Sequence, residues 1–184
     1  MQIEIASLWL PILLSGVLVF IASSLVWMLL QYHNSDWSRL PDEEAARAAL
    51  KGIAPGEYRF PYAASNEERK APLWLQKVGE GPNGMLLAFP PGQPQMGKQL
   101  GLWLVYCLVI SFLVAYVCSF SLRAGAQYLA VFRLAGTVAV LAYAGAVVPG
   151  SIWFGHSWSR TFKDILDGLI YGLLTGGVFG WLWP

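Results

Sequence analysis

Long apolar stretches along the chain are separated by polar connections. Between Ile5 and Ser35 there is no Asp, Glu, Lys or Arg, and three further stretches are nearly as poor in charge. Because an α-helix rises about 1.5 Å per residue, roughly 20 apolar residues cross a hydrocarbon core of about 30 Å. The pattern therefore predicts four membrane-spanning helices, at residues 8–30, 99–121, 128–149 and 162–183.

These spans predict an all-α integral membrane protein, with four helices in a compact bundle that forms a single membrane domain over residues 1–184. An even number of spans places both chain ends on one side of the membrane. The connection 33–98 is too short for a large independent domain, and we expect it to lie on the membrane as a small cap.

The cap contains signals for short elements. Pro41 to Gly52 predicts one helix, because a proline and acidic residues stand at its start and a glycine follows its end. The segments 57–62 and 84–89 are rich in aromatic or aliphatic residues and are bounded by glycine or proline, which predicts a two-stranded antiparallel ribbon. Glu67–Lys70 is expected to form a solvated turn or short helix between them.

Composition agrees with a membrane protein. Hydrophobic residues make up 56% of the chain and charged residues 12%, against about 25% in soluble domains. The net charge of +1 provides no basic surface for nucleic acid. Without a catalytic, metal or nucleotide motif, the sequence predicts neither an enzyme nor a cofactor. Cys107 and Cys118, about 16 Å apart along one helix, are expected to be small packing residues.

Tryptophan and basic residues indicate an orientation. Tryptophan prefers the headgroup level, and on the four spans the tryptophans fall into two belts, Trp9, Trp181 and Trp183 on one face and Trp27, Trp103, Trp153 and Trp158 on the other. Most Lys and Arg residues lie on the face of connection 33–98, and positive charge favours the cytoplasm. We therefore expect this connection in the cytoplasm, with the inverse orientation as the alternative.

Glycine recurs at every fourth position of the fourth span, at Gly168, Gly172, Gly176 and Gly180. Such a glycine zipper lets another helix approach closely, and close packing drives helix association in lipid. The partner is either a helix of this chain or a helix of another subunit. The internal candidates are small-residue faces on the second span (Cys107, Ser111, Ala115, Ser119) and on the third (Ala135, Gly136, Ala139, Gly145, Ala146).

Two charged residues, Asp167 and Arg133, fall inside predicted spans and are candidates for an intramembrane polar site. They enter from opposite faces, about 10 to 15 Å apart along the membrane normal, so no direct ion pair is expected. The alternative for Arg133 is a side chain that extends to the headgroups. The alternative for Asp167 is pairing at the interface with Lys163, one turn earlier on the helix.

His33 and His156 are both assigned to the face of connection 33–98, close to the membrane. Two histidines could ligate a haem, or one could ligate the metal of a pigment. The competing interpretation is contact with solvent or headgroups, because the spacing carries no haem-attachment or zinc signature.

Several segments resemble a family of bacterial four-span membrane proteins of unknown function. They are Met96–Lys98 with Leu100–Trp103 and Val105–Leu108, then Tyr128–Arg133, and finally Asp167–Tyr171 through Phe179–Pro184. The resemblance implies the four-helix layout and a bacterial inner membrane. It implies no activity, substrate or functional residue. With connection 33–98 in the cytoplasm, as the basic residues indicate, both chain ends are expected in the periplasm.

Three functions are weighed. The leading expectation is a non-catalytic accessory or scaffold subunit that packs through its glycine face against other membrane subunits, of respiratory or photosynthetic type. The alternative is a small transporter or channel, as a homodimer for example, that uses Asp167 and Arg133. The least favoured is a membrane enzyme or haem carrier that uses His33 and His156.

Overall fold

The computed structural model describes residues 3–184. The chain separates into two compact units. One, the membrane unit, comprises the segment up to Ser38 together with Gln95–Pro184. The other, the loop unit, comprises Arg39–Pro94.

Helices dominate the membrane unit, whereas the loop unit combines three short helices with two strands. In chain order the helices are α1 (Trp9–Leu25), α2 (Glu43–Ala49), α3 (Asn66–Lys70), α4 (Pro72–Glu80), α5 (Met96–Ser121), α6 (Tyr128–Ala144), α7 (Val148–Trp153) and α8 (Trp158–Trp181). The strands are β1 (Gly56–Phe60) and β2 (Gly84–Ala88). A 3-10 turn precedes α1 at Ile5–Leu8, a π-helical segment extends α1 through Val26–Leu30, and a second 3-10 turn follows at Tyr32–Asp36.

Three helical segments are long and apolar enough to cross a membrane, namely Ile5–Leu30, Met96–Ser121 and Tyr128–Trp153, with mean hydropathies of 2.4, 2.4 and 1.8. These segments make the chain a membrane protein by length and composition. Helix α8 has 24 residues, which is long enough to span. Its first ten residues, however, include four charged ones: Arg160, Lys163, Asp164 and Asp167. The fourth span therefore stays a prediction.

The third predicted span differs in detail from expectation. A continuous helix over 128–149 is expected from the sequence, whereas α6 ends at Ala144 and α7 begins at Val148. Pro149 lies in the first turn of α7, where its missing N–H group costs no helical hydrogen bond. The proline thus marks the start of a new helix after a short turn.

Small side chains form the contacts between the long helices. The expected small-residue face of α5 is buried, with Cys107, Ser111 and Ala115 fully inaccessible. The Ser15 hydroxyl of α1 donates to Ser111 at 3.0 Å. Gly16 lies so close to α5 that a Cβ atom there would come within 2.7 Å of a Leu108 methyl group. Interhelical distance is therefore set by small residues and not by large apolar ones.

The glycine face of α8 packs against α6 of the same chain. A Cβ atom at Gly168 would lie 2.6 Å from the Ala144 methyl carbon, and one at Gly176 would lie 2.8 Å from the Phe132 carbonyl oxygen. A Cβ atom at Gly172 would collide with Val140, and one at Gly180 would collide with the Tyr128 ring. Helix α6 thus occupies this face, which is the internal one of the two partners weighed for the glycine zipper.

Helix α8 extends from one end of the membrane unit to the other. Near its start, Lys163 contacts the Tyr32–Asp36 turn that follows the first candidate span. At its far end, the Pro184 carbonyl accepts from the Gly125 amide at 2.7 Å, and the Trp183 indole donates to the Arg123 carbonyl at 3.0 Å. Arg123 and Gly125 belong to the connection between α5 and α6.

The loop unit contains the expected short elements and one that was not expected. Asp42 caps α2 by accepting from the Ala45 amide at 2.8 Å. Strands β1 and β2 pair antiparallel, with Gly56 opposite Ala88 and Phe60 opposite Gly84, close to the predicted ribbon. Helix α3 covers the expected Glu67–Lys70 segment. Helix α4, which starts at Pro72, has no counterpart in the sequence-based expectations.

Candidate functional site

A change of helix type at the end of the first candidate span shapes the site. The helix widens to π geometry at Val26–Leu30 and ends at Gln31, whose φ of 51° is left-handed. Single π turns often occur at functional positions, and a left-handed non-glycine residue is uncommon. The following turn brings Tyr32, His33 and Asp36 against the first three turns of α8.

His33 lies at the centre of this cluster and is only 2% exposed. Its Nδ1 atom is 2.7 Å from Asp36 Oδ2, and its Nε2 atom is 3.1 Å from Asp167 Oδ2. Asp164 Oδ1 is farther, 4.0 Å from Nδ1. Both ring nitrogens are thus engaged by carboxyl groups, which leaves neither free to ligate a haem iron.

The two carboxyl partners of His33 constrain which side chains of the cluster carry a proton. A neutral imidazole carries one N–H group, so it can donate to only one of two carboxylates. Either His33 is an imidazolium that donates to both Asp36 and Asp167, or one of these carboxyls carries the proton and donates to the ring. In both cases one proton is shared among three side chains.

Asp167 is 4% exposed and has further partners. The Tyr32 hydroxyl donates to its Oδ1 atom, and the Tyr171 hydroxyl, one helical turn later on α8, lies 3.5 Å from Oδ2. A buried carboxyl group is costly unless it is hydrogen-bonded. The two tyrosines and His33 provide those bonds from both sides of the helix interface.

Lys163 anchors the turn from the α8 side. Its Nζ atom donates to Asp36 Oδ1 at 2.5 Å, to the Ser35 hydroxyl at 2.7 Å and to the Tyr32 carbonyl at 2.9 Å. The expected partner of Lys163 was Asp167, so this pairing corrects that expectation. The turn of Tyr32–Asp36 offers Lys163 three oxygens at once, which a single carboxylate one helical turn away cannot match.

A further ion pair lies near the start of α8. Arg160 Nε lies 3.8 Å from Asp164 Oδ2, one helical turn later, and the Arg160 guanidinium is 5.4 Å from the centre of the Trp37 ring. Asp164 is thus paired within α8, and the carboxyl groups within hydrogen-bonding distance of the His33 ring nitrogens are those of Asp36 and Asp167.

Lys163 and His33 also affect the acidity of Asp36. Burial raises the pKa of the Asp36 carboxyl, but hydrogen bonds and positive charge from Lys163 and His33 outweigh burial. The pKa of Asp36 is therefore held below its usual value of 3.8. Asp36 is the permanently charged member of the cluster near neutral pH.

Other residues predicted as sites lie elsewhere. Arg133 is exposed on α6 and is not among the partners of Asp167. His156 is exposed in the α7–α8 connection, where its amide donates to the Gly150 carbonyl at 3.1 Å, so it does not share the surroundings of His33. Within residues 3–184 no group of three His, Cys, Asp or Glu side chains is arranged to hold a metal ion.

No protein family model, curated protein or solved structure matches the chain.

The sequence singled out His33 and Asp167 separately and did not connect them. Tyr32, Asp36 and Trp27 were missed altogether as site residues. The available signal was the His33-x-x-Asp36 spacing directly after an apolar span, which places both side chains on one face of a tight helical turn.

Proposed function

We propose that this chain is a four-span membrane protein that works as a small transporter or channel. Its working element is the proton that His33 and Asp167 share beside the ionised Asp36 carboxyl. The observation that carries the proposal is the placement of both His33 ring nitrogens against carboxyl oxygens, at 2.7 and 3.1 Å, in a buried position. Of the three side chains, Asp167 lies inside the predicted fourth span, where an ionisable group is costly and typically marks an ion or proton route.

The length and contacts of α8 support the fourth span. Its start pairs with the turn after the first candidate span, and the residues at its end bond to the connection that follows α5. Contacts at both of its ends are what we expect of a fourth helix that crosses the bilayer beside the other three. Its charged first turns then lie at the interface, where Lys163 and Arg160 have carboxylate partners.

The proposed location is a bacterial inner membrane, with segment 33–98 in the cytoplasm and both chain ends in the periplasm. Labelling of single added cysteines with an impermeant maleimide tests this arrangement. Glu44→Cys in the loop unit is expected to react only from the cytoplasmic side, and Gln127→Cys before α6 only from the periplasmic side. Both cysteines reacting from one side contradicts a membrane crossing by α5, and exchanged sides support the inverse orientation.

Proton flux in reconstituted vesicles tests the transport proposal. Vesicles carry a pH-sensitive dye, and a potassium gradient with valinomycin supplies the driving force. Wild-type protein is expected to dissipate the imposed gradient faster than empty vesicles. Asp167→Asn and His33→Gln each remove a member of the shared-proton group and should slow the flux about a hundredfold, the scale of a positioned proton-transfer group.

A matched control lies on the same helix. Asp164→Asn changes a carboxyl group three residues before Asp167, but Asp164 is 4.0 Å from His33 and pairs with Arg160 instead. Flux in this variant should stay close to wild type. Unchanged flux in Asp167→Asn, or equal losses in the Asp164 and Asp167 variants, contradicts a shared-proton element.

A second candidate is the accessory subunit of a larger membrane complex. Since α6 covers the glycine face, the docking surface of this candidate would be an exposed aromatic ridge on α5. Phe112, Tyr116 and Phe120 recur there at every fourth position and are 46%, 46% and 62% exposed. Aromatic side chains are enriched in protein interfaces. Extraction from the native membrane in a mild detergent distinguishes the two. A fixed ratio to larger subunits supports this candidate, whereas a lone chain or homo-oligomer contradicts it.

A further inference from the structure

An apolar groove lies beside the polar cluster in the membrane unit. It has a volume of about 350 Å³ and is lined by Ser23, Ser24, Trp27, Met28, Met96, Leu100 and Trp103. Ligand sites in proteins occupy roughly 300 to 1,000 Å³, so the groove is large enough for part of a small molecule or a chain. We refer to it as the α1–α5 groove.

Polar groups of the wall are largely used within the protein. The Trp103 indole donates to the Ser23 hydroxyl at 2.7 Å, and the Ser23 and Ser24 hydroxyls donate to the Phe20 carbonyl at 2.9 and 2.8 Å. The groove surface that is left for a bound molecule consists of methylene, thioether and indole groups. A peptide segment would bury N–H and C=O groups there with few partners, at a cost of a few kcal/mol each.

The position of the groove indicates what fills it. Its residues belong to the last turns of the candidate span Ile5–Leu30 and the first turns of the candidate span Met96–Ser121. Trp27, Met28 and Met96 are 50%, 56% and 54% exposed, so the groove opens outward. At the ends of membrane-spanning helices, the abundant apolar material is the acyl chain of a lipid.

We propose that the α1–α5 groove binds one acyl chain of a bilayer phospholipid and that this chain holds Trp27 against His33. Trp27 takes part in both sites: it lines the groove, and its ring stacks on the His33 ring with centroids 4.1 Å apart. Lipid in the groove thus restrains the Trp27 indole that stacks on the His33 ring. The proposal stands on the groove and on Trp27 and does not require proton transport.

Bound lipid is counted after purification and exhaustive detergent washing, by native mass spectrometry and phosphate assay on the full chain. Wild-type protein should retain one phospholipid per chain. Leu100→Trp fills the groove and should lower the retained lipid about tenfold, because an overpacked site excludes the chain. Leu113→Trp is the matched control, since Leu113 lies on the same helix, is 46% exposed and is outside the groove.

Contact with Trp27 is measured with phospholipids brominated on the acyl chain, which quench nearby indole fluorescence. The quenching signal assigned to Trp27 is the difference between wild type and Trp27→Phe, and it should disappear in the Leu100→Trp background. Ser24→Leu is the second groove variant if Leu100→Trp does not fold. Equal lipid retention in the groove variants and Leu113→Trp, or an apolar small molecule bound in place of phospholipid, overturns the proposal.

Discussion

The ring of His33 lies parallel to the indole of Trp27, with 1° between the planes and 4.1 Å between the centroids. Trp27 is half exposed, whereas His33 is buried, so the indole covers the imidazole on one face. Carboxyl groups engage the two ring nitrogens in the plane of the same ring. Orientation of His33 is therefore fixed by stacking and hydrogen bonding together.

Replacing Trp27 should loosen the cluster. Trp27→Leu keeps an apolar side chain but removes the stacked ring, and we expect a loss of about 0.5 to 1.5 kcal/mol in the free energy of unfolding. Thermal unfolding in detergent measures the change. Trp153→Leu, at a 73% exposed tryptophan outside the cluster, is the control and should change stability little. Equal losses in the two variants would show that the stacking contributes nothing.

Asp36 should give the cluster a defined pH dependence. Because the pKa of Asp36 is lower in the folded protein than its usual value of 3.8, the ionised carboxyl stabilises the fold above that value. This contribution disappears as the pH falls through the lower folded value. Asp36→Asn should therefore cost about 1.5 to 3 kcal/mol near neutral pH, and little once the carboxyl is protonated in the wild type.

The measurement for Asp36 is the stability difference between wild type and variant across the acid range. A difference that stays constant down to pH values well below 3.8 is incompatible with a lowered pKa. Glu44→Gln provides the control, because the Glu44 side chain is 84% exposed and its removal should matter little at any pH.

Close packing of α8 on α6 predicts opposite effects at adjacent glycines. Gly176→Ala places a methyl group 2.8 Å from the Phe132 carbonyl oxygen and should cost about 1 to 3 kcal/mol in stability. Gly177→Ala meets only the Tyr128 hydroxyl at 4.0 Å and should be neutral or stabilising by up to about 1 kcal/mol, since alanine favours a helix. Unfolding in detergent compares them directly. Similar losses at both positions would argue against the packing of α6 on this face.

Gln31 holds a backbone conformation that favours glycine. Its φ of 51° is left-handed, which costs a side-chain-bearing residue about 1 kcal/mol or more. Gln31→Gly should therefore leave stability unchanged or raise it by about 1 kcal/mol, whereas Gln31→Val should lower it. Thermal unfolding of both variants tests this, and a stabilising valine would exclude a left-handed residue 31.

Sequence reasoning predicted the elements better than their contacts. Apolar length located the three long segments, and glycine and proline bounded β1 and β2, because these signals are local. Helix α4 was missed because its nine residues are too few for a helical repeat of apolar positions to be recognised. The break before Pro149 was missed because apolar composition continues across it.

The candidate site was less predictable for a physical reason. His33 and Asp167 are 134 positions apart, and their meeting depends on how α8 packs and on the π-helical turn before Gln31. Lys163 illustrates the same limit, since helical spacing pointed to Asp167 while the folded chain offers the turn 32–36. Helical spacing predicts which residues of one helix are neighbours, but it does not predict their contacts with a turn from another part of the chain.

The bonds of Lys163 also imply an order of events during biosynthesis. Its partner Asp36 is made 127 residues earlier, and a chain that grows from its N-terminus exposes Tyr32–Asp36 to water long before α8 exists. The buried cluster of His33, Asp36 and Asp167 can form only when α8 has packed against the turn 32–36. Its formation is thus a late step of assembly, because Asp167 and Lys163 are synthesised long after that turn.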